Sequence, residues 1–505
     1  MKVRLNETHW SRYNRLFRNG EHGGLLYNIL SNILFELDEP HYTMLESWCD
    51  KGIAIAAEDE EFLNLLREKN VIIDSKENER FLHIYQYEHL ATCFDTSLLG
   101  LTICPTLRCN FRCPYCFEQG QQIGATMTQA TMKRLIGFVQ DFKAIQNLSV
   151  IWYGGEPLLA FDSICALTEQ FKNLNLNYEG AGLVTNGFLL DNNKIERLND
   201  LMISNIQITL DGPREVHDSR RFLAGGGPTF EQILENITAL LDSDYSGNCN
   251  IRVNIDRNNY KQYNSLRKSL LKQFKGKNLL VYPGFVFTSL THSYDCSCIL
   301  DTSVIGDFIL DLFQKDGVIP REGFHPRRRM GSTCVAARHN GFVVGPEGEL
   351  YKCLEDVGKE EMVIGNIHND KPVTNLMLVA QYIIGTNPFN NPDCLECDML
   401  PICGGGCPNK RLKEKLFHEK RVEYCTIYKD HLLKYLKVYH NIFRAKEICN
   451  AIINPSTESE DKKGYRIISI ISDLTQEQPT LCNFTRNRKD GHDSQDCVPV
   501  KTILD

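Results

Sequence analysis

Beyond about residue 99 the chain alternates short apolar, β-branched runs with longer stretches in which apolar positions recur every three or four residues. The runs 101–106, 148–153, 182–185, 206–210, 251–255 and 280–287 predict strands. Between them, 129–142, 161–173, 194–202 and 230–241 predict helices. Six β/α alternations predict an α/β fold of parallel strands with right-handed crossovers. Periodicity leaves two closures open, a partial (β/α)6 barrel and a doubly wound sheet. Ahead of this region, 12–18 and 25–35 predict strands around the turn-rich segment 19–24. Residues 42–51 and 58–69 predict helices and 71–73 a short strand, which makes a small α+β module. Beyond Cys334 the patterning weakens, and Cys, Gly and Pro set the rhythm. Residues 412–448 predict a helix, 454–463 a polar linker and 465–471 a short β run before a polar tail. The expected divisions are 1–98, 99–300, a bridge at 301–333, a cysteine-rich unit at 334–430, and a C-terminal helix and tail at 431–505.

Composition narrows the class. A chain of 505 residues suggests about three domains of ~150 residues, and its 42% hydrophobic content suffices for several cores. The net charge is −8 and Arg327-Arg328-Arg329 is the basic run that stands out, so no nucleic-acid partner is expected. Residues 1–10 hold no apolar export core, and no apolar run approaches the ~18 residues that span a bilayer. The expectation is a soluble cytoplasmic protein with no membrane partner. Its 20 cysteines then need an explanation. Disulfide-dense proteins are usually small and secreted, so reduced thiols that ligate metal or pack as small apolar groups fit better. Ten of them fall within two segments, 109–116 and 334–425, and ten are scattered.

Cys109, Cys113 and Cys116 make a C-x3-C-x2-C loop directly after the first expected barrel strand. Three thiolates on a short loop can hold three irons of a cubane cluster, and the spacing supplies no fourth ligand. An iron left open can bind and activate a small molecule. The end of a strand also suits a site at the mouth of an α/β barrel. A zinc site with a distant fourth ligand, or three core cysteines, is the alternative. With Tyr115 before the last cysteine and Phe117-Glu118 after it, the loop resembles the signature of the radical SAM superfamily. The resemblance implies a [4Fe-4S] cluster whose open iron chelates S-adenosylmethionine. An electron then splits the sulfonium, and the resulting 5′-deoxyadenosyl radical takes hydrogen from the substrate.

Further turns fit that resemblance. Gly154-Gly155-Glu156-Pro157 follows the second strand and resembles the family's GGEP motif, with glycines for close backbone approach and Glu156 for the methionine ammonium. Alone it reads as an ordinary surface turn. Thr185-Asn186-Gly187 and Thr209-Leu210-Asp211-Gly212, after the third and fourth strands, resemble its ribose and carboxylate contacts. His217-Asp218-Ser219-Arg220-Arg221 resembles its His-Asp-x-x-Arg stretch, which implies Arg221 as partner of the methionine carboxylate.

The second group reads Cys334-x18-Cys353, with Gly348 five residues before Cys353, then Cys394-x2-Cys397-x5-Cys403-x3-Cys407, then Cys425. A zinc ribbon with spare ligands is the bland account. The spacing resembles the seven-cysteine SPASM domain, which implies two auxiliary [4Fe-4S] clusters and three clusters in all. By that resemblance Cys394, Cys397, Cys403 and Cys425 ligate an outer cluster, and Cys334, Cys353 and Cys407 hold an inner one with one iron unassigned. Cys296 or Cys298 could complete it, or the iron stays open to substrate; two plain thiols are as good a reading.

The family resemblance implies a peptide or protein substrate and a reduced flavodoxin- or ferredoxin-type electron donor. The expected activity is a crosslink or oxidation in a ribosomally made peptide. The alternative is an anaerobic sulfatase maturase forming formylglycine. That group carries an acidic base directly after the Gly-x4-Cys cysteine, and here Leu354 stands there, with Glu355 and Asp356 displaced. The N-terminal module resembles the leader-recognition segment of peptide maturases, where a sheet edge can take up a leader strand. A reading of another class is a non-catalytic cysteine-rich metal-binding module, which would not cleave S-adenosylmethionine.

Overall fold

The computed structural model describes residues 8–20, 23–51, 60–74, 77–120, 124–286, 296–320, 322–329, 334–417, 424–453 and 464–468. Its strands are, in chain order, β1 (Thr8–Trp10), β2 (Asn14–Arg18), β3 (Gly24–Asn28), β4 (Ile33–Leu37), β5 (Ile72–Asp74), β6 (Leu98–Ile103), β7 (Asn147–Trp152), β8 (Asn177–Thr185), β9 (Ile203–Leu210), β10 (Asn248–Ile255), β11 (Leu279–Phe285), β12 (Gly341–Val344), β13 (Glu349–Tyr351), β14 (Gly365–Asn366) and β15 (Tyr465–Ile468). The six strands expected from 101 to 287 are present as β6–β11.

They lie in the order β11-β10-β9-β8-β7-β6, every neighbouring pair parallel. Within these six strands the order never reverses, so right-handed crossovers carry their helices to the same face. That settles the question periodicity left open: the winding is that of a partial barrel, since a doubly wound sheet reverses at a switch point. Along the strands, buried apolar positions alternate with more open ones, as in β7, where Leu148, Val150 and Trp152 are buried and Ile151 is exposed. Leu99, Leu101, Ile103, Leu148, Val150 and Trp152 join Phe138 and Phe171 in the largest core. Helix starts are set by side-chain caps. Thr128 accepts from Thr131 N ahead of the helix Gln129–Asp141, and Asp301 accepts from Val304 N ahead of Thr302–Asp316.

The main sheet continues past β6. β12 pairs parallel to it, and β13 and β14 follow antiparallel, so the segment carrying Cys353 grows from the barrel sheet. The N-terminal sheet has the order β15-β4-β3-β2, and β15 comes from the far end of the chain.

Several expectations shift. Residues 25–35 are two strands, β3 and β4, around a turn. The helix expected at 194–202 shrinks to Asn192–Ile195, and the backbone turns left-handed at Met202 (φ 53°). The single helix expected at 412–448 is two, Pro408–Phe417 and Tyr428–Ile453, with Cys425 between them. Helix Glu77–Cys93 was not anticipated, for its apolar residues lie all round and leave Ile84 and Tyr87 exposed. The 454–463 linker and the tail beyond 468 lie outside the described residues. No helix among the described residues is long and apolar enough to cross a membrane.

Candidate active site and cysteine clusters

β6 delivers the chain into the three-cysteine loop, which is pinned from within. Thr106 Oγ1 accepts from Arg108 N (3.1 Å) and bonds Ala125 O (3.0 Å). Arg112 donates to the carbonyls of Cys109 (2.8 Å) and Phe111 (2.7 Å), and Phe111 is buried edge-on to Phe188. The Cys116 thiol lies within electrostatic reach of Cys113 and Cys109. Burial pushes the Cys109 and Cys116 thiols up to about 12. Thiolates at this depth need a compensating cation, which a metal-bearing group supplies.

The Gly-Gly-Glu-Pro turn after β7 is zipped onto that loop. Gly155 N donates to Thr106 O (3.2 Å) and Glu156 N to Arg108 O (2.9 Å). A Cβ on Gly154 (φ 114°) would sit 2.3 Å from Thr106 O, and one on Gly155 2.3 Å from Leu107 O. The two glycines therefore admit the cysteine loop's own carbonyls. Glu156 is wholly buried, and its carboxylate accepts from Leu158 N (3.0 Å), Thr185 Oγ1 (2.7 Å) and Asn186 N (2.7 Å). Its carboxylate clamps the third strand's turn to the second's, with Pro157 opening the short helical turn behind it. Asn186 in turn donates to Asn110 Oδ1 (2.8 Å) inside the cysteine loop.

Asp211, after β9, anchors a second network. It is wholly buried and accepts from Tyr115 Oη (2.7 Å) and Arg220 Nε (2.8 Å). Arg221 donates to the same Tyr115 oxygen (3.0 Å), and Arg220 also pairs with Asp256 (2.9 Å). Burial raises the Asp211 pKa, with Arg221 and Arg220 pulling the other way. His217, buried beneath, receives Asp211 N at Nδ1 (3.4 Å) and bonds Thr229 Oγ1 through Nε2 (3.0 Å); Thr229 bonds Arg221 O. Thr209 is buried at the end of β9. Sequence reasoning missed the parts of Tyr115, Arg220, Asp256 and Thr229. Position could have found Asp256, which follows β10 as Asp211 follows β9.

The seven cysteines from Cys334 to Cys425 fall in two sets. Cys425 lies within electrostatic reach of Cys403, Cys394 and Cys397, and both Cys334 and Cys353 within reach of Cys407. Lys352, wholly buried, donates to Arg338 O and Gly341 O (2.6 Å), tying the turn after Cys334 to β13 beside Cys353. Asp356 accepts from Tyr382 and from Asn409 Nδ2 (2.9 Å), and Glu355 pairs with Lys413 (3.3 Å). Those bonds lock the turn after Cys353 onto the helix after Cys407. Cys298 accepts from Asn258 Nδ2 (3.1 Å), while the side chain of Cys296 lies outside the described residues. Among the described residues no three His, Cys, Asp or Glu side chains converge as ligands of one ion do.

The residues beside Cys109, Cys113 and Cys116 fit a cluster with a bound polar cofactor. Arg221 Nε and Asn110 Nδ2 are buried there without a hydrogen-bond partner, and buried donors of that kind call for an acceptor. Residues 103–270 match the model of the radical SAM superfamily. A serine-type anaerobic sulfatase-maturating enzyme of Bacteroides thetaiotaomicron is 24% identical over 68% of this chain and 90% of its own. The radical SAM cyclopropyl synthase TigE of Paramaledivibacter caminithermalis is 20% identical over 86% of this chain and 97% of its own. Among solved structures, native anSMEcpe with bound AdoMet and Kp18Cys peptide shares the fold, with a TM-score of 0.52 at 20% identity over 68% of this chain and 99% of that one. That superfamily works with a [4Fe-4S] cluster and S-adenosylmethionine. Residues 103–270 thus form a radical SAM domain, and the chain that carries it is an enzyme.

Proposed function

We propose that this enzyme modifies a side chain of a peptide or protein, by crosslink or oxidation. The observation that carries the reading is the match along nearly the whole length of relatives named for maturing sulfatases. A fold neighbour has been solved with AdoMet and a peptide together. Cys109, Cys113 and Cys116 hold the cluster, and Asn186, Thr209, Asp211 and Arg221 line the cofactor site. When bound, cluster and S-adenosylmethionine supply a radical able to take hydrogen from an unactivated carbon. The chain's own part is to orient and to exclude water. Tyr115 holds Arg221 and Asp211 through one hydroxyl, and the Glu156 clamp keeps the loops after β6, β7 and β8 in register.

Two auxiliary clusters complete the reading, the outer on Cys394, Cys397, Cys403 and Cys425, the inner on Cys334, Cys353 and Cys407 with one iron for substrate or a further thiol. A flavodoxin- or ferredoxin-type donor supplies the electron in the cytoplasm. The N-terminal module, 1–98, takes up a leader strand, 99–300 is the barrel, 301–333 the bridge, 334–430 the auxiliary-cluster domain, and 431–505 the closing helix and tail. The test is anaerobic reconstitution, dithionite reduction and measurement of 5′-deoxyadenosine. Cys113→Ala is expected to abolish it. Iron-loaded protein with the loop intact that makes none would refute the reading.

Formylglycine formation is the second reading, favoured by the relatives' names. Against it, Leu354 follows Cys353 and Asp356 is held by Tyr382 and Asn409. Mass loss on a Cys- or Ser-containing sulfatase peptide would favour it over the first.

A further inference from the structure

Arg411 is buried, at 3% exposure, on the helix Pro408–Phe417. Its Nη2 donates to Cys394 Sγ (2.6 Å) and its Nε to Gly405 O, and the guanidinium lies 4.5 Å from the ring centroid of Tyr424. Gly404, Gly405 and Gly406 all have positive φ (62°, 87°, 72°), so the turn between Cys403 and Cys407 can bring that carbonyl to it. One side chain thus touches a cysteine sulfur, the turn between two others, and the residue before Cys425. No carboxylate pairs with Arg411 among the described residues. A buried cation without a counter-charge is costly, and four thiolates around a cluster carry the negative charge it lacks.

A second guanidinium approaches the Cys394–Cys397 turn from another part of the chain. Arg15 on β2 pairs with Asp398, directly after Cys397. Arg12 donates to Leu395 O (2.6 Å) and lies 3.6 Å from Glu396. The N-terminal module is therefore docked on the Cys394–Cys397 turn by two arginines.

We propose that Arg411, through Cys394 Sγ, and Arg15, through Asp398 beside Cys397, are positioning residues of the outer cysteine group that raise the reduction potential of the cluster it binds. This rests on the reading of Cys394, Cys397, Cys403 and Cys425 as cluster ligands. Hydrogen bonds to sulfur and nearby cations stabilise the more negative, reduced state. Through Arg15 the N-terminal module becomes part of the redox site, so whatever docks on that module can bias electron flow.

The test uses the full chain, reconstituted anaerobically with iron and sulfide and titrated reductively under EPR. The signal lost in Cys394→Ala marks the outer cluster. Arg411→Met is expected to shift that cluster's one-electron equilibrium about tenfold toward the oxidised form, about 59 mV, with Arg411→Lys recovering part. Arg15→Gln should move it the same way by less, at unchanged iron content. Should Arg411→Met lose the cluster altogether, Arg15→Gln decides by the same titration. An unmoved midpoint in the variants that retain the signal overturns the proposal. Full iron and an unchanged spectrum in both Cys394→Ala and Cys425→Ala would instead overturn the ligand assignment, and the proposal with it.

Discussion

Asp211 N–H points at His217 Nδ1, which makes that nitrogen the acceptor and puts the ring proton on Nε2. Nε2–H then donates to Thr229 Oγ1, and the Thr229 hydroxyl donates to Arg221 O. Each group in this relay has one role, and a second proton on the imidazole would leave Asp211 N–H facing N–H. Burial accordingly drives the His217 pKa well below 6.5, with Arg221 adding to it. A base with a depressed folded pKa lets the unfolded chain bind a proton the folded chain refuses. Stability is therefore unpenalised above about 6.5 and falls by up to ~1.4 kcal/mol per pH unit below it. His217→Gln can keep an acceptor and a donor without titrating. Its stability should fall less steeply than that of the parent between pH 6.5 and 5, read from urea unfolding at each pH. Equal slopes would show that His217 is not the proton-refusing group.

The Gly-Gly-Glu-Pro element acts through its backbone. A methyl on Gly155 would meet Leu107 O at 2.3 Å and Arg108 O at 2.5 Å, both of them main-chain atoms of the cysteine loop that cannot swing aside. Gly155→Ala should therefore push that loop off the turn and cost most of the iron held by Cys109, Cys113 and Cys116. Gly225→Ala, with nothing within 4 Å of the added atom, should stay within about 0.5 kcal/mol of the parent. Iron content and thermal melting of the two variants check this; equal iron loading would refute it. The element's place after β7 was legible because apolar runs and turns mark strand ends in sequence. Its partner was not, since the turn reads alike whether its glycines face a ligand or a carbonyl. Glu156 shows the same limit: a carboxylate expected for the cofactor's ammonium spends three acceptor positions on Leu158, Thr185 and Asn186. Helix Glu77–Cys93 stayed hidden because its apolar residues are spread round the axis, with Ile84 and Tyr87 exposed while Tyr85, His89 and Cys93 are buried.

Over the whole molecule, the last described strand closes the N-terminal sheet. β15 adds antiparallel to β4, pairing Tyr465 with Leu37 through Ile468 with Leu34. Arg466 reaches Glu36 (2.5 Å) and Glu447 (2.7 Å), and Arg444 reaches Glu36 as well (2.7 Å). With His440 these arginines outweigh burial and hold the Glu36 carboxyl at about 2. Ile468 is buried in the core where β2–β4 meet the helix Tyr428–Ile453 and the Cys397–Cys403 segment, and Tyr465 packs 4.3 Å from Phe62. No pattern in the sequence announces this closure, because a four-residue strand pairs with whichever edge the rest of the fold leaves open. Deleting residues 464–505 removes the strand, one buried isoleucine worth about 1.5–3 kcal/mol, and the cation nearest Glu36. It also bares the β4 edge, and an uncovered edge is a template for another chain. The truncated protein should melt earlier and self-associate with rising concentration in sedimentation velocity. The Cys109–Cys116 loop lies in the other sheet and should keep its iron. A truncated chain that stays monomeric with an unchanged melt would show that β15 is not what closes the N-terminal sheet.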